Sequence, residues 1–190
     1  MAPGGRTPYL LVMMQSFRNV PIEELLRSAE EREESGDALG AEALLGRVIS
    51  LKPEFSLAWY RRGMLRLFEQ EAYEEALADL RRAEELGVDH LGIPVSQLHY
   101  LHGECLFGLG RFEEADARLA QGLIGEQDEV LRAEIHYRRA ECAEELERPE
   151  ALREALTGFL AHKAAYLDSG GDGEQVESAE TRLAGLSGGP

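Results

Sequence analysis

The sequence is poor in positive charge and in cysteine. It has 20 Lys and Arg against 36 Asp and Glu, which gives a net charge of −16. Nucleic-acid backbones and anionic membrane surfaces attract basic proteins, so this balance argues against both as partners. The acidic excess is typical of a solvated surface, and it also suits a basic partner segment. With only Cys105 and Cys142, the chain has no disulfide framework, and we expect a cytoplasmic, reducing environment.

Long apolar runs are also missing. No stretch approaches the roughly 20 apolar residues that a transmembrane helix needs. The apolar run at 9–14 is too short for a typical signal-peptide core and no small-residue cleavage site follows it. We therefore predict a flexible N-terminal segment at 1–20, which is rich in glycine and proline. Met13 and Met14 are alternative translation starts within it.

Runs of Val, Ile and Thr, which build sheets, are absent as well. Leu, Ala, Glu and Arg dominate instead, and all four favour helix. Hydrophobic residues make up 44% and charged residues 29% of the chain, a composition typical of globular proteins. The sequence therefore predicts an all-α fold.

Apolar residues return at helical spacing in paired segments, and turn residues separate the segments. Gly36 is placed to end one helix in a left-handed conformation, and Asp37 is placed to cap the next. Pro53 stops that second helix. Gly87 and Gly110 mark later helix ends in the same manner. This punctuation predicts a series of helix pairs.

The helix pairs also repeat as sequence. The segment WYRRG at 59–63 corresponds to HYLHG at 99–103 and to HYRRA at 136–140, and YEEA at 73–76 corresponds to FEEA at 112–115. A two-helix unit that recurs every 34 to 40 residues or so predicts a solenoid, in which each unit stacks on the next.

The order of an aromatic residue, a small residue, a second-helix alanine and a large apolar residue resembles the tetratricopeptide repeat. The resemblance spans roughly residues 22–165. The positions that carry it are Leu25, Ala29, Ala41, Leu45 and Pro53 in the first unit, Trp59, Gly63, Ala76 and Leu80 in the second, and His99, Gly103, Ala115 and Leu119 in the third. It implies a right-handed solenoid of about three to four antiparallel helix pairs. Arg62, His102 and Arg139 stand where the family prefers leucine, and we expect them to loosen the packing between repeats.

The predicted repeat domain occupies 21–168, and the glycine-rich segment 169–173 follows as a linker. In the capping helix and tail predicted at 174–190, four apolar residues share one helical face: Val176, Ala179, Leu183 and Leu186. A solenoid exposes an apolar end unless something covers it. We therefore expect this helix to cap the last pair.

No arrangement of residues predicts catalysis, a metal or a cofactor. His99 and Cys105 are six residues apart, as are His136 and Cys142, so the two side chains of each pair point to different helix faces. Ligands on one helix need a spacing of three or four. The sequence also lacks a nucleophile motif and a glycine-rich phosphate loop. We expect a protein that is not an enzyme and needs no cofactor.

In the tetratricopeptide family, the first helix of each unit lines a concave groove that holds an extended or helical peptide. The resemblance implies that eight residues face this groove: Tyr60, Arg61, Met64, Tyr100, Glu104, Tyr137, Arg138 and Glu141. Alternatively, the three tyrosines belong to the core and seal neighbouring repeats. The inward positions do not form the clamp of lysines, asparagines and arginine that holds a C-terminal carboxylate in some co-chaperones.

The leading hypothesis is a cytoplasmic adaptor or scaffold that binds a peptide or helix of another protein. One alternative is a dedicated chaperone for an exported protein, because small acidic tetratricopeptide proteins of bacterial secretion systems have this size and charge. The other is a structural subunit of a homo-oligomer, in which repeats pack edge to edge.

Overall fold

The computed structural model describes residues 21–187, and in this range it contains helices and no strand. The predicted all-α fold is confirmed. The helices are α1 (Ile22–Glu34), α2 (Ala38–Leu51), α3 (Ser56–Phe68), α4 (Tyr73–Leu86), α5 (Val95–Gly108), α6 (Phe112–Gly122), α7 (Glu129–Glu145), α8 (Pro149–Ala161), α9 (Lys163–Asp168) and α10 (Gly173–Ser187), with a short 3-10 helix (Asp89–Leu91) before α5. The predicted flexible segment 1–20 and the last residues of the tail, 188–190, lie outside the described range.

Helices α1 to α8 form successive antiparallel pairs, and each pair packs against the next. We call the first helix of each pair, α1, α3, α5 and α7, an inner helix, and the second, α2, α4, α6 and α8, an outer helix. The fourth pair, α7 and α8, packs as closely as the others, so the array contains all four predicted units.

Within each pair, the chain reverses through a residue in the left-handed conformation. Gly36 has a φ of 77° and Gly110 a φ of 70°, as their sequence context predicts. In the other two pairs the same position is occupied by Glu71 and Glu147, each with a φ of 52°. Left-handed backbone is unfavourable for a residue with a Cβ atom, so these two turns are held by the packing of the helices they join.

The second helix pair contains one more residue than the others, and the extra residue is accommodated in its turn. In the first and third pairs, a backbone amide closes the turn onto the carbonyl five residues earlier, as Asp37 does onto Arg32 at 2.8 Å. In the second pair, the amide of Ala72 reaches back six residues to the carbonyl of Arg66, also at 2.8 Å. The insertion therefore leaves the helices in register.

Small residues allow the inner and outer helices of a pair to approach closely. A Cβ atom added at Gly63 would lie 2.8 Å from Leu80 Cγ, and one added at Gly103 would lie 2.5 Å from Leu119 Cγ. Contacts this short do not occur between real atoms without a shift, so the leucine at each position requires the glycine opposite. The small residue and the large apolar residue of the repeat pattern thus form one packing unit.

The core consists of three clusters along the array. The first joins α1, α2 and α3, the central one extends from α3 to α7, and the third joins α7, α8 and α10. Trp59 packs against both the first and the central cluster, and its Nε1 donates a hydrogen bond to the carbonyl of Pro53 at 2.8 Å. It therefore occupies the boundary between the first two repeats.

The predicted capping helix is present as α10, which begins at Gly173, one residue earlier than predicted. Val176 and Ala179 are buried in the third cluster together with Phe159 of α8, and Leu183 and Leu186 pack against its edge. The short helix α9, which the sequence pattern did not separate, leads into the turn before α10. Helix α10 thus covers the apolar end of the fourth pair.

The residues expected to loosen the repeat packing form polar contacts between helices instead. Arg62 donates two hydrogen bonds of 2.7 Å to the carboxylate of Asp79. Arg139 of α7 donates at 2.7 Å to Asp116 of the preceding repeat. These ion pairs take the place of the apolar contact that the usual leucine would make.

His102 is the third such residue and is 1% exposed. Its Nδ1 accepts a hydrogen bond from Arg118 Nε at 3.0 Å, since a guanidinium has no acceptor. Arg118 also donates to Glu84 of the preceding repeat at 2.6 and 2.7 Å. Burial, and then the charge of Arg118, lowers the pKa of His102 to about 3. The ring is therefore neutral at physiological pH.

Candidate functional site

The groove is the surface formed by the inner helices α1, α3, α5 and α7. The eight residues predicted for the groove all lie on the inner helices α3, α5 and α7. The structure divides them between two separate hollows. Tyr60, Arg61 and Met64 line one near the N-terminal end of the array, and Tyr100, Tyr137, Arg138 and Glu141 line the other near α10. Glu104 binds Arg138 at the edge of the second hollow.

The apolar hollow lies between α1, the start of α2 and α3, and has a volume of about 270 Å³. Met64 and Leu65 form its apolar wall together with Phe68, which lies one helical turn further along α3. Phe68 is 52% exposed, which is unusual for an aromatic side chain of a small helical protein. The hollow therefore offers apolar surface in a concave setting.

One side of the apolar hollow is polar. Arg61 Nη2 donates to Glu33 Oε2 at 2.7 Å, which joins α3 to α1. The other carboxylate oxygen, Glu33 Oε1, is buried without a hydrogen-bond partner in the described structure. A ligand with a donor group at this edge would satisfy it.

The tyrosine hollow has a volume of about 350 Å³ and lies between α5, α7 and the capping region. Its lining is aromatic and acidic: Tyr100, Glu134, Tyr137, Arg138, Glu141, Tyr166 and Gln175. Tyr137 and Tyr166 both contact the ring of Phe159 edge-on, at centroid distances of 5.1 and 5.2 Å. Those contacts fix the two rings in the wall of the hollow.

Arg138 is held by carboxylates on two helices. Its Nε and Nη2 donate to Glu104 of α5 at 2.6 and 2.8 Å, and its Nη1 donates to Glu141 at 2.7 Å. The guanidinium also lies 4.5 Å from the ring centroid of Phe107. Burial opposes its charge, but the hydrogen bonds to Glu104, together with the negative charges of Glu104 and Glu141, outweigh burial and raise the pKa of Arg138. Its positive charge is therefore neutralised within the protein.

The three tyrosines differ in how far they belong to the core. Tyr60 is 8% exposed and is part of the central cluster, so only its edge lines the apolar hollow. Tyr100 and Tyr137 are half-buried, and each packs against a core cluster while it lines the tyrosine hollow. Burial raises the pKa of both phenols. Tyr60 thus belongs to the core, whereas Tyr100 and Tyr137 lie between the core and the tyrosine hollow.

Other proteins of known structure share this arrangement of helix pairs. No protein-family model matches the sequence, and no curated protein sequence matches it. Among solved structures, MamA residues 41 to the end from Desulfovibrio magneticus RS-1 superposes with a TM-score of 0.65 at 18% identity, covering 76% of this chain and 77% of MamA. A second crystal structure of MamA gives a TM-score of 0.67 at 14% identity, covering 87% and 89%. YrrB, described as a TPR protein with an unusual peptide-binding site, gives 0.55 at 17% identity, covering 87% and 86%.

The chain has the tetratricopeptide-repeat fold. At these identities the likeness concerns the arrangement of helix pairs and not the side chains of the groove. Both hollows lie against the inner helices of this solenoid.

Several residues that line the two hollows were not predicted from the sequence. Glu134 lies three residues before Tyr137 on the same helix face, a spacing that is visible in the sequence. Tyr166 and Gln175 belong to α9 and α10, outside the repeats, so the repeat pattern carries no signal for them. The sequence gives no signal that Phe68 is exposed, and only the structure shows it.

The thiols of the tetratricopeptide array are inaccessible. Cys105 and Cys142 are both 0% exposed, and burial raises the pKa of each to about 12. A protonated, buried thiol is unreactive. In residues 21–187, no three His, Cys, Asp or Glu side chains form a cluster able to hold a metal ion. No helix in that range has the length and apolar composition to span a membrane.

Proposed function

We propose that this protein is an interaction module whose groove binds a segment of another protein, in extended or helical form. The proposal involves no catalytic step. A cytoplasmic location stays a prediction from the cysteine content. The observation that carries the proposal is the apolar hollow, in which the half-exposed Phe68 and the neighbouring Met64 face a concave space.

An exposed aromatic ring beside a hollow is the typical anchor of a protein interface. Burial of apolar surface there contributes about 25 cal/mol for each Å² removed from water. Arg61 and Glu33 at the rim provide hydrogen-bonding groups that fix the orientation of a bound segment. The printed description of YrrB as having a peptide-binding site supports the same use of this fold.

The experiment that tests the proposal is selection of peptides from a random display library on the immobilised full chain. The affinity of the selected peptides is then measured by calorimetry. Phe68→Ala should weaken binding about tenfold, the equivalent of 1.4 kcal/mol. The melting temperature should change little, because half of the side chain is already in water.

Ile124→Ala is the matched control, because Ile124 is 79% exposed and lies after the outer helix α6, away from the groove. Its affinity should equal that of the wild type. Failure to select any peptide, or equal affinities for the Phe68 and Ile124 variants, would contradict the proposal. Light scattering on the same samples measures self-association, which the homo-oligomer alternative predicts. An exported protein as the stoichiometric partner in cells would favour the chaperone alternative.

A further inference from the structure

We propose that the tyrosine hollow is a receptor for one cationic side chain, lysine or arginine, of the bound partner segment. This inference rests on the proposed binding function and adds the chemistry of the partner to it. It predicts a basic residue in the partner at the end of the groove near α10.

The walls of the hollow have the composition that binds a cation. Tyr100, Tyr137 and Tyr166 contribute aromatic rings, and Glu134 and Glu141 contribute carboxylates. A cation is attracted to the face of an aromatic ring, and the attraction increases when water is excluded. The volume of about 350 Å³ is sufficient for the end of a long side chain.

Glu134 is the carboxylate that a partner would neutralise. Within residues 21–187, its side chain takes part in no hydrogen bond and no ion pair, although it is half-buried. Burial, and then the charges of Glu104 and Asp128, raise its pKa. A bound cation would stabilise the ionised form of Glu134 in that environment.

The cations of the protein itself are already paired. Arg138 is bound by Glu104 and Glu141, and Arg182 of α10 donates to Glu144. The neighbourhood therefore contains the carboxylates of Glu104, Glu134, Glu141 and Glu144 against two guanidinium groups. The net charge of −16 for the whole chain adds a long-range attraction for a basic segment.

The test uses three small probes on the full chain: the Nα-acetyl methylamides of lysine, arginine and norleucine. Norleucine has the length of lysine without its charge. The tyrosine ring signals are followed by NMR as each probe is added. We expect the lysine and arginine probes to shift the rings of Tyr100, Tyr137 and Tyr166 in a saturable manner, and norleucine to leave them unchanged. The relative response to lysine and arginine identifies the preferred cation.

Glu134→Gln removes the charge while it keeps the shape, and it should weaken the binding of the cationic probes about tenfold. Glu145→Gln is the control, because Glu145 lies on the same helix, is exposed and is not part of the lining of the tyrosine hollow. It removes one negative charge, as Glu134→Gln does, and should leave the affinity unchanged. The ring spectra of both variants also report whether each remains folded.

An equal response to norleucine, the absence of saturable shifts, or equal affinities for the two glutamine variants would overturn the inference. These outcomes are distinguishable from failure of the binding function. If peptides are selected on the groove but the cationic probes do not bind, the function stands and the cation site is refuted. If the probes bind but no peptide is selected, the cation site stands and the proposed function is refuted.

Discussion

Arg62 and Asp79 form a two-pronged ion pair between the inner and outer helices of the second repeat. Nε and Nη2 of Arg62 each donate to a carboxylate oxygen at 2.7 Å, and the side chain of Asp79 is only 4% exposed. Arg66 donates to the same carboxylate at 2.8 Å and binds Glu42 of the first repeat at 2.6 Å. Arg66 thus connects this buried carboxylate to the first repeat.

Asp79→Ala should lower the free energy of unfolding by about 3 kcal/mol, because it leaves two guanidinium groups without their buried partner. Arg62→Leu should cost less, since Arg66 still neutralises Asp79. Urea denaturation at neutral pH measures both. Glu114→Ala is the control: its ion pair with Arg111 is exposed, and its loss should leave the stability nearly unchanged. Equal costs for the Asp79 and Glu114 variants would contradict this account.

The stability of the protein should decrease on mild acidification because His102 is buried and neutral. Its pKa is lowered to about 3 in the folded chain, whereas an unfolded histidine titrates near pH 6.5. Between these values only the unfolded state binds the proton. The free energy of unfolding therefore decreases as the pH is lowered, by up to about 1.4 kcal/mol per pH unit. Burial also lowers the pKa of His136, to about 4, and this histidine adds to the effect.

His102→Leu should reduce that pH dependence, and the exposed His90 provides the control variant, His90→Leu. Urea denaturation at several pH values from about 6.5 to about 4 measures the slope for each protein. A slope for His102→Leu as steep as that of the wild type would show that other groups cause the acid sensitivity.

Two helix glycines should respond in opposite directions to alanine. Gly103→Ala places a Cβ atom 2.5 Å from Leu119, so it should destabilise the protein by about 1–3 kcal/mol. Gly46→Ala meets only the end of the Arg62 side chain at 3.5 Å, an ordinary contact. It should stabilise the protein by about 0.5–1 kcal/mol through helix propensity. Thermal denaturation followed by circular dichroism compares them, and a change of the same sign in both would refute the packing argument.

Val176→Asp should detach the capping helix from the fourth repeat. The side chain is 6% exposed, and a carboxylate there would lose its hydration without gaining a partner. We expect a lower melting temperature and concentration-dependent association, because the apolar surface around Phe159 becomes accessible. Ser178→Asp adds the same charge at an exposed position of the same helix and should behave as the wild type. Unchanged melting in the Val176 variant would mean that α10 contributes no stability.

The helix pairs and their turns were predictable where a residue type is tied to a backbone conformation. Gly36 and Gly110 mark their turns because glycine adopts the left-handed region without cost. Glu71 and Glu147 occupy the same position in the other pairs, and no residue preference signals them. The sequence therefore shows the repeat through its apolar pattern, while the position of these two turns depends on tertiary packing.

Contacts between distant residues were less predictable. Arg62, His102 and Arg139 differ from the family pattern in an obvious way, but their partners lie on other helices at no fixed spacing. The same limit applies to the tyrosine hollow. Tyr100 and Tyr137 follow from the repeat, whereas Tyr166 reaches the hollow only because α9 folds back over the last pair.

Trp59 gives the protein a built-in optical reporter at one boundary. It is the single tryptophan of the chain, and it packs against both the first and the central core cluster. Its emission is therefore sensitive to detachment of the first repeat, whereas far-ultraviolet ellipticity averages over every helix. Neighbouring repeats in a solenoid are coupled only through their shared interfaces. Both signals can be recorded in one denaturant titration. Any separation between their midpoints measures how far the array departs from all-or-none unfolding, without labels or mutations.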